Sequence, residues 1–184
     1  MRPTVGFALC GSFCTFRKAI DALRALTAQY TVVPIFSDAA WETDTRFGAS
    51  ADFRAEVTAL YTLAQVEPLG PKRLLDLLIV APCTGNTLGK LANGIADSPV
   101  SFACKAHLRN GRPLLIAPST NDGLSASAAA IGALLARKYI YFVPFGQDDP
   151  LHKPTSLVAD FTLVPAAAQA ALEGYQLQPL LVTP

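Results

Sequence analysis

Two stretches of this sequence set small hydroxyl and amide side chains directly after a proline. One is Pro82-Cys83-Thr84-Gly85-Asn86-Thr87 and the other is Pro118-Ser119-Thr120-Asn121-Asp122. Thr84, Asn86 and Thr87 offer hydroxyls and an amide that can bond the carbonyls and nitrogens of a ring, or a polyol chain. Ser119 and Asn121 repeat that chemistry. A third stretch, Cys10-Gly11-Ser12-Phe13-Cys14-Thr15, has a different character. Gly11 lets the chain turn sharply and approach a ligand closely. The hydroxyls of Ser12 and Thr15, with the free N–H groups of a following helix, make a phosphate cradle. Each feature also reads as ordinary capping, with Ser12 or Thr15 as the N-cap of a helix, and Ser37 or Asp38 in the same role further on. Their joint occurrence shifts the balance toward a ligand site.

The elements around these stretches decide whether they can meet. Short apolar runs alternate with helical patterns, the signature of βαβ units and a parallel sheet. Strands are expected at Thr4–Leu9, Thr31–Phe36, Leu74–Val80, Pro113–Ala117 and Tyr139–Val143. The third is a nearly continuous apolar run, as burial on both faces requires. Helices are expected at Phe16–Gln29, Ala51–Ala64, Asn86–Asn93, Pro99–Leu108, Leu124–Lys138 and Ala166–Glu173. In the first of these, Ile20, Leu23, Leu26 and Thr27 share one face. Pro99 suits a first helical turn, and Gly174 a helix end. The pattern fits a single α/β domain over residues 1–184, a flavodoxin-like doubly wound parallel sheet in three α/β/α layers. Ligands of such sheets bind beyond the carboxyl ends of the strands, where strand order reverses. The three stretches and the Ser37-Asp38 turn all fall at those ends.

Composition narrows the functional classes. Half of the residues are apolar (51%) and few are charged (16%), which favours a well-buried protein with surface to hide in an oligomer. The net charge of +1 and the lack of a basic run argue against nucleic acid as a partner. No apolar stretch is long enough to span a bilayer, and nothing resembles a signal peptide, so a cytoplasmic protein is expected. Cys10, Cys14, Cys83 and Cys104 form no Cys-x-x-Cys pair, and His107 and His152 are the only histidines. No metal site is expected, and the thiols read as core-filling.

The stretch Pro82 to Thr87, followed by Lys90-Leu91-Ala92-Asn93-Gly94-Ile95-Ala96-Asp97, resembles the Pro-Ala-Ser-Ala-Asn-Thr signature of the homo-oligomeric flavin-containing cysteine decarboxylases. Pro118 to Asn121 is similar to that family's Pro-x-Met-Asn loop. Gly11-Ser12 and Ser37 fall where its members hold the flavin phosphate. Within the superfamily, the B subunits of dipicolinate synthases are similar over almost the whole chain. The segments that carry this likeness are Cys14-Thr15, Thr43–Gly48, Gln65–Pro71, the Asn86 loop, Ser119–Asp122 and Pro144–Pro154. The decarboxylases use a histidine shortly before their third strand. Here Glu67–Arg73 holds none, and Thr120 replaces the methionine, so the decarboxylase reaction is not expected.

The resemblance implies a flavin mononucleotide (FMN) site. Ser12, Thr15 and Ser37 would meet the phosphate, and Asn86 and Asn121 the polar edge of the ring. It implies oxidation of a dihydrodipicolinate-level intermediate to dipicolinate in the mother cell of a sporulating bacterium. The partner would be the A subunit of dipicolinate synthase, through which alone NAD(P) enters, and the B chain would form trimers or multiples of trimers. A non-catalytic partner role with an empty pocket stays open beside this. A dicarboxylate substrate needs a cation, and Arg46 fits as a two-pronged clamp, ahead of Lys90 and Lys105. Arg46 could instead pair with Asp44 or Glu42. The run Gln147-Asp148-Asp149 reads as a structural or partner contact, and His152 as a surface residue.

Overall fold

The computed structural model describes residues 2–60 and 75–183. The expected segment Gln65–Pro71, the histidine-free stretch 67–73, the end of the helix expected at 51–64 and the expected strand start at Leu74 all lie outside them.

A mostly parallel sheet forms the middle layer. β1 (Thr4–Leu9), β2 (Thr31–Phe36), β3 (Leu77–Cys83), β4 (Leu114–Thr120) and β5 (Ile140–Phe142) pair in parallel in the order β2-β1-β3-β4-β5. Every residue of β3, and all of β4 but its last, is buried. Leu and β-branched side chains face helices on both sides, each burial contributing about 1.5–3 kcal/mol. β2 carries Pro34 and lies at the edge, where a missing N–H costs no ladder bond.

α1 (Phe16–Leu26) follows β1. Its buried Phe16, Ala19, Ile20, Leu23 and Leu26 repeat at helical spacing and form one stripe. α2 (Asp38–Glu42) and α3 (Ser50–Ala59) follow β2, and α4 (Gly85–Ala92) and α5 (Pro99–Arg109) follow β3. α6 (Ala128–Leu135) joins β4 to β5, and α7 (Val164–Glu173) ends on Gly174 at φ 88°, the left-handed turn that glycine takes without strain. α1 packs with α7 on one face, and α4 with α5 and α6 on the other, which gives the three layers.

Two short strands depart from the five-strand expectation. β6 (Phe145–Gly146) and β7 (Leu157–Ala159) pair with each other antiparallel, and β7 adds antiparallel to the end of β4, with Ser119 opposite Val158 and Thr120 opposite Leu157. β4 therefore pairs with β5 along its first half and with β7 at its carboxyl end. The helix expected from Leu124 begins only at Ala128. Residues 121–127 form turns instead, because the Asp122 carbonyl accepts the N–H groups of Ser125 and Ser127 at 3.0 Å each.

Candidate functional site

Strand order reverses between β1 and β3, and a cavity of about 420 Å³ opens at the carboxyl edge there. Three loops wall it. Gly11, Ser12, Cys14 and Thr15 come from the end of β1, Thr84 and Gly85 from the end of β3, and Ser119, Thr120 and Asn121 from the end of β4. Lys18 of α1 and Asp148, Lys153 and Val158 of the β6–β7 excursion complete it.

Its floor is a cluster of three hydroxyls. Ser12 Oγ lies 2.8 Å from Ser119 Oγ, and Thr15 Oγ1 lies 3.1 Å from the same atom. Thr15 Oγ1 also donates to the Ser12 carbonyl at 3.0 Å. The loop stays short because Cys10 N–H bonds the Pro82 carbonyl at 3.3 Å, fastening the end of β1 to the end of β3. Gly11 is needed there, since a Cβ at that position would meet the Ala39 methyl at 3.2 Å. The Ser12 and Ser119 hydroxyls, which can turn their protons toward a guest, in a cavity that Lys18 also lines, suit an anionic group such as a phosphate. Neither Ser12 nor Thr15 acts as a side-chain cap for its helical turn, so the capping alternative for these two is not realised.

The β6–β7 wall carries opposite charges. Asp148 accepts from Ser156 Oγ at 2.6 Å, and Lys153 Nζ lies 3.4 Å from its other oxygen. Burial pushes the Asp148 carboxyl up. The Ser156 hydroxyl and Lys153 outweigh that and hold it below the usual range. Lys18 makes no ion pair among the described residues, whereas Lys153 does.

The sequence-derived residues fall into two groups. Gly11, Ser12, Thr15, Thr84, Ser119 and Asn121 line the cavity. Ser37, Asn86, Thr87 and Arg46 do not. Ser37 caps α2, accepting Ala40 N–H at 3.2 Å. Asn86 stands exposed in the first turn of α4. Thr87 is buried, and its hydroxyl turns inward to Cys10 Sγ at 3.5 Å. Arg46 is exposed and stacks over the Phe47 ring at 4.9 Å, while Asp44 accepts Ser50 N–H instead of pairing with it. Lys90 pairs with Asp97 at 2.9 Å, and Lys105 Nζ donates to the Gly94 carbonyl, so neither reaches the cavity.

Sequence reasoning passed over Lys18, Thr120, Lys153 and the cavity role of Asp148. Lys18 lies three residues past Thr15 in the first turn of α1, a spacing that could have flagged it. Nothing local marked Lys153, which arrives on the loop between β6 and β7. The cysteines behave as core thiols. Cys10, Cys83 and Cys104 are buried, and burial pushes the Cys10 thiol up to about 11 and the Cys83 and Cys104 thiols well above the ordinary value. Cys14 alone is exposed. Among the described residues no cluster of histidine, cysteine or carboxylate could hold a metal, and no helix is long and apolar enough to cross a membrane.

A doubly wound sheet with a phosphate-suited cavity at its switch point defines a class, and the comparisons agree. Residues 2–128 match the model of the flavoprotein family, and the chain belongs to that family. It is homologous to the B subunit of dipicolinate synthase from Bacillus subtilis (strain 168), with 41% identity over 97% of this chain and 92% of that protein. The crystal structure of the dipicolinate synthase B subunit from Bacillus halodurans superposes with a TM-score of 0.87 at 41% identity, covering 98% of this chain and 96% of that one. The FMN-binding protein AtHal3 shares the fold, with a TM-score of 0.66 at 20% identity over 92% of this chain and 96% of its own.

Proposed function

We propose that this chain serves as the B subunit of a dipicolinate synthase and holds FMN in the cavity between the ends of β1, β3 and β4. The observation that carries this reading is the Ser12–Thr15–Ser119 hydroxyl cluster beside Lys18, at the switch point of a flavoprotein-family sheet. Those groups fit a phosphate: hydroxyls and a lysine lining one cavity, and a glycine turn that keeps the backbone close. The cavity volume falls within the range of sites for cofactors and drug-sized ligands.

A bound flavin supplies a two-electron acceptor suited to aromatising a dihydropyridine. The chain's own residues orient and bind. Ser12, Thr15, Ser119 and Lys18 neutralise and fix the phosphate. Thr84, Thr120 and Asn121 present polar groups to the ring. Lys153 takes over from Arg46 as the cation available to a substrate carboxylate, because it borders the cavity and Arg46 does not. Its pairing with Asp148 leaves ammonium protons to donate. A trimeric assembly, NAD(P) and the A subunit enter this reading by resemblance and kinship.

The test is direct. Purified protein titrated with FMN should quench the flavin's fluorescence to a saturating endpoint. Dipicolinate formation by a reconstituted A subunit should rise when this chain and FMN are added. Unchanged synthesis in its absence overturns the assignment. Synthesis that needs the chain but not FMN would make it a cofactor-free partner.

A further inference from the structure

Asp122 stands just behind the cavity wall and touches Thr120 and Gly85 of that wall and Ser127 beside them. Its Oδ1 accepts the Thr120 hydroxyl and, at 2.8 Å, the Ser127 hydroxyl. It also packs on the start of α4, since a Cβ on Gly85 would stand 2.7 Å from Oδ1 and equally close to Thr120 Oγ1. The two hydrogen bonds hold the Asp122 carboxyl below its usual range, so it is an anion at neutral pH. An anionic carboxylate has no proton to give. The Thr120 hydroxyl therefore points its only proton at Asp122. Its backbone cannot swing it elsewhere, because Thr120 is paired with Leu157 of β7. Thr120 lines the cavity, and a guest that reaches its Oγ1 there meets a lone pair and no proton.

This separates Thr120 from the Ser12 and Ser119 hydroxyls. Those two bond each other, and each can serve as donor or acceptor. They adapt to a guest, whereas Thr120 does not.

We infer that Asp122 is a positioning residue that fixes Thr120 as a hydrogen-bond acceptor in the cavity, so that the site selects a heterocycle presenting a ring N–H there. The inference rests on the reading of the cavity as a site for a ring-bearing ligand. Two rings in that reading carry such a group: the imide N–H of a flavin and the ring N–H of a dihydropyridine diacid. A guest with only a lone pair at that place leaves two acceptors facing each other, which costs the hydrogen bond and the desolvation of both.

The test compares matched probes on the full-length chain and separates the two sources. The first arm titrates FMN against 3-methyl-FMN, which lacks the imide N–H, by flavin fluorescence. The second titrates 4-oxo-1,4-dihydropyridine-2,6-dicarboxylate, which carries a ring N–H, against dipicolinate, which does not, by calorimetry at pH 7. The parent chain should favour the N–H member by about fivefold or more in one arm, and that arm names the ring. Thr120→Val should bring the ratio close to one, Thr120→Ser should keep it, and Asp122→Ala should shrink it by freeing the hydroxyl to rotate. A role for Asp122 confined to folding would change melting temperature and leave these ratios alone. If Asp122→Ala does not fold, the Thr120 pair carries the test. No preference in either arm, or a preference that survives Thr120→Val, overturns the inference while the proposed function stands. A parent chain that binds neither FMN nor either diacid overturns the proposed function and this inference together.

Discussion

The loop after β3 and the loop after β4 are built from the same residue types, yet their hydroxyls have opposite fates. Thr84 turns its side chain back on its own helix, accepting Thr87 N–H at 3.3 Å as the N-cap of α4. Thr120, the residue that matches it in type, belongs to the end of a strand and is tied to Asp122. The difference lies in the backbone beyond each proline. α4 starts at once after Thr84, so four unpaired N–H groups compete for its hydroxyl. After Thr120 the chain enters a set of turns, and the nearest strong partner is a carboxylate. Similar composition at two strand ends thus yields, on one cavity, a hydroxyl that caps a helix and a hydroxyl that is tied to a carboxylate.

The largest blow to this arrangement is a methyl group at its junction. Gly85→Ala would place a Cβ 2.6–2.7 Å from Ser127 Oγ, Asp122 Oδ1 and Thr120 Oγ1. Those atoms are held in place by hydrogen bonds, so overpacking should cost about 2 kcal/mol, read as a lower denaturant midpoint. FMN binding should weaken with it, since both loops must shift. A neutral result would mean that the loops are not fastened together. Next, Thr84→Ala should cost about 1 kcal/mol of stability, as for loss of a helix cap. It should leave the preference between N–H and N-methyl probes intact, and Thr120→Val should do the reverse. If both variants behave alike in melting and binding, the contrast between the loops fails. Ser119→Ala removes the hinge of the hydroxyl cluster. It should weaken FMN binding about fivefold, from one lost hydrogen bond, with little effect on riboflavin, which has no phosphate.

The smallest expected effect comes from the opposite end of β4. His107 is buried and bonds the Pro113 carbonyl through Nε2 at 2.8 Å. Burial pushes its imidazole below the ordinary value, against the raising effects of that carbonyl and Asp76. The native state thus binds fewer protons than the unfolded chain just below pH ~6.5. Stability from this group is fully present above that pH and is lost as pH falls toward the folded value. The Asp122 carboxyl is held below the usual carboxylate range by the Thr120 and Ser127 hydroxyls, so its contribution persists down to about pH 4 before it falls away. Between pH 7 and 5, melting temperature should drop gently while probe selectivity at Thr120 stays flat. His107→Gln should flatten the melting profile over that range. A selectivity that fell with the melting temperature would contradict a site anchored by Asp122.

Much of the scaffold was legible because it is written locally. Thr4–Leu9 and Thr31–Phe36 form strands over the residues expected, and the apolar stripe of α1 is periodic in the chain itself. The expected end of α1 at Gln29 retreats to Leu26, where the stripe stops. β3 runs on to Cys83, since the residues past Val80 are as buried as those before it. β6 and β7 were not legible. They span two and three residues and exist only as pairings to each other and to β4. The alanine-rich run beyond Leu124 has the composition of a longer helix, yet Asp122 and the Thr155 carbonyl, which accepts Leu124 N–H at 2.9 Å, hold its start in turns.

The sequence by itself determined that this is a doubly wound α/β chain of the flavoprotein family with its candidate site residues in loops at the carboxyl ends of the strands. Apolar runs, helix stripes and loop motifs are short-range patterns, and short-range physics is enough to produce them. Which polar groups face the cavity was decided by tertiary structure. Ser12 finds Ser119 across 107 positions, and Lys153 reaches the cavity on the loop between β6 and β7, strands that exist only through their pairing with each other and with β4. A hydroxyl or a cation takes the best partner within reach, and reach is set by the packing of distant segments.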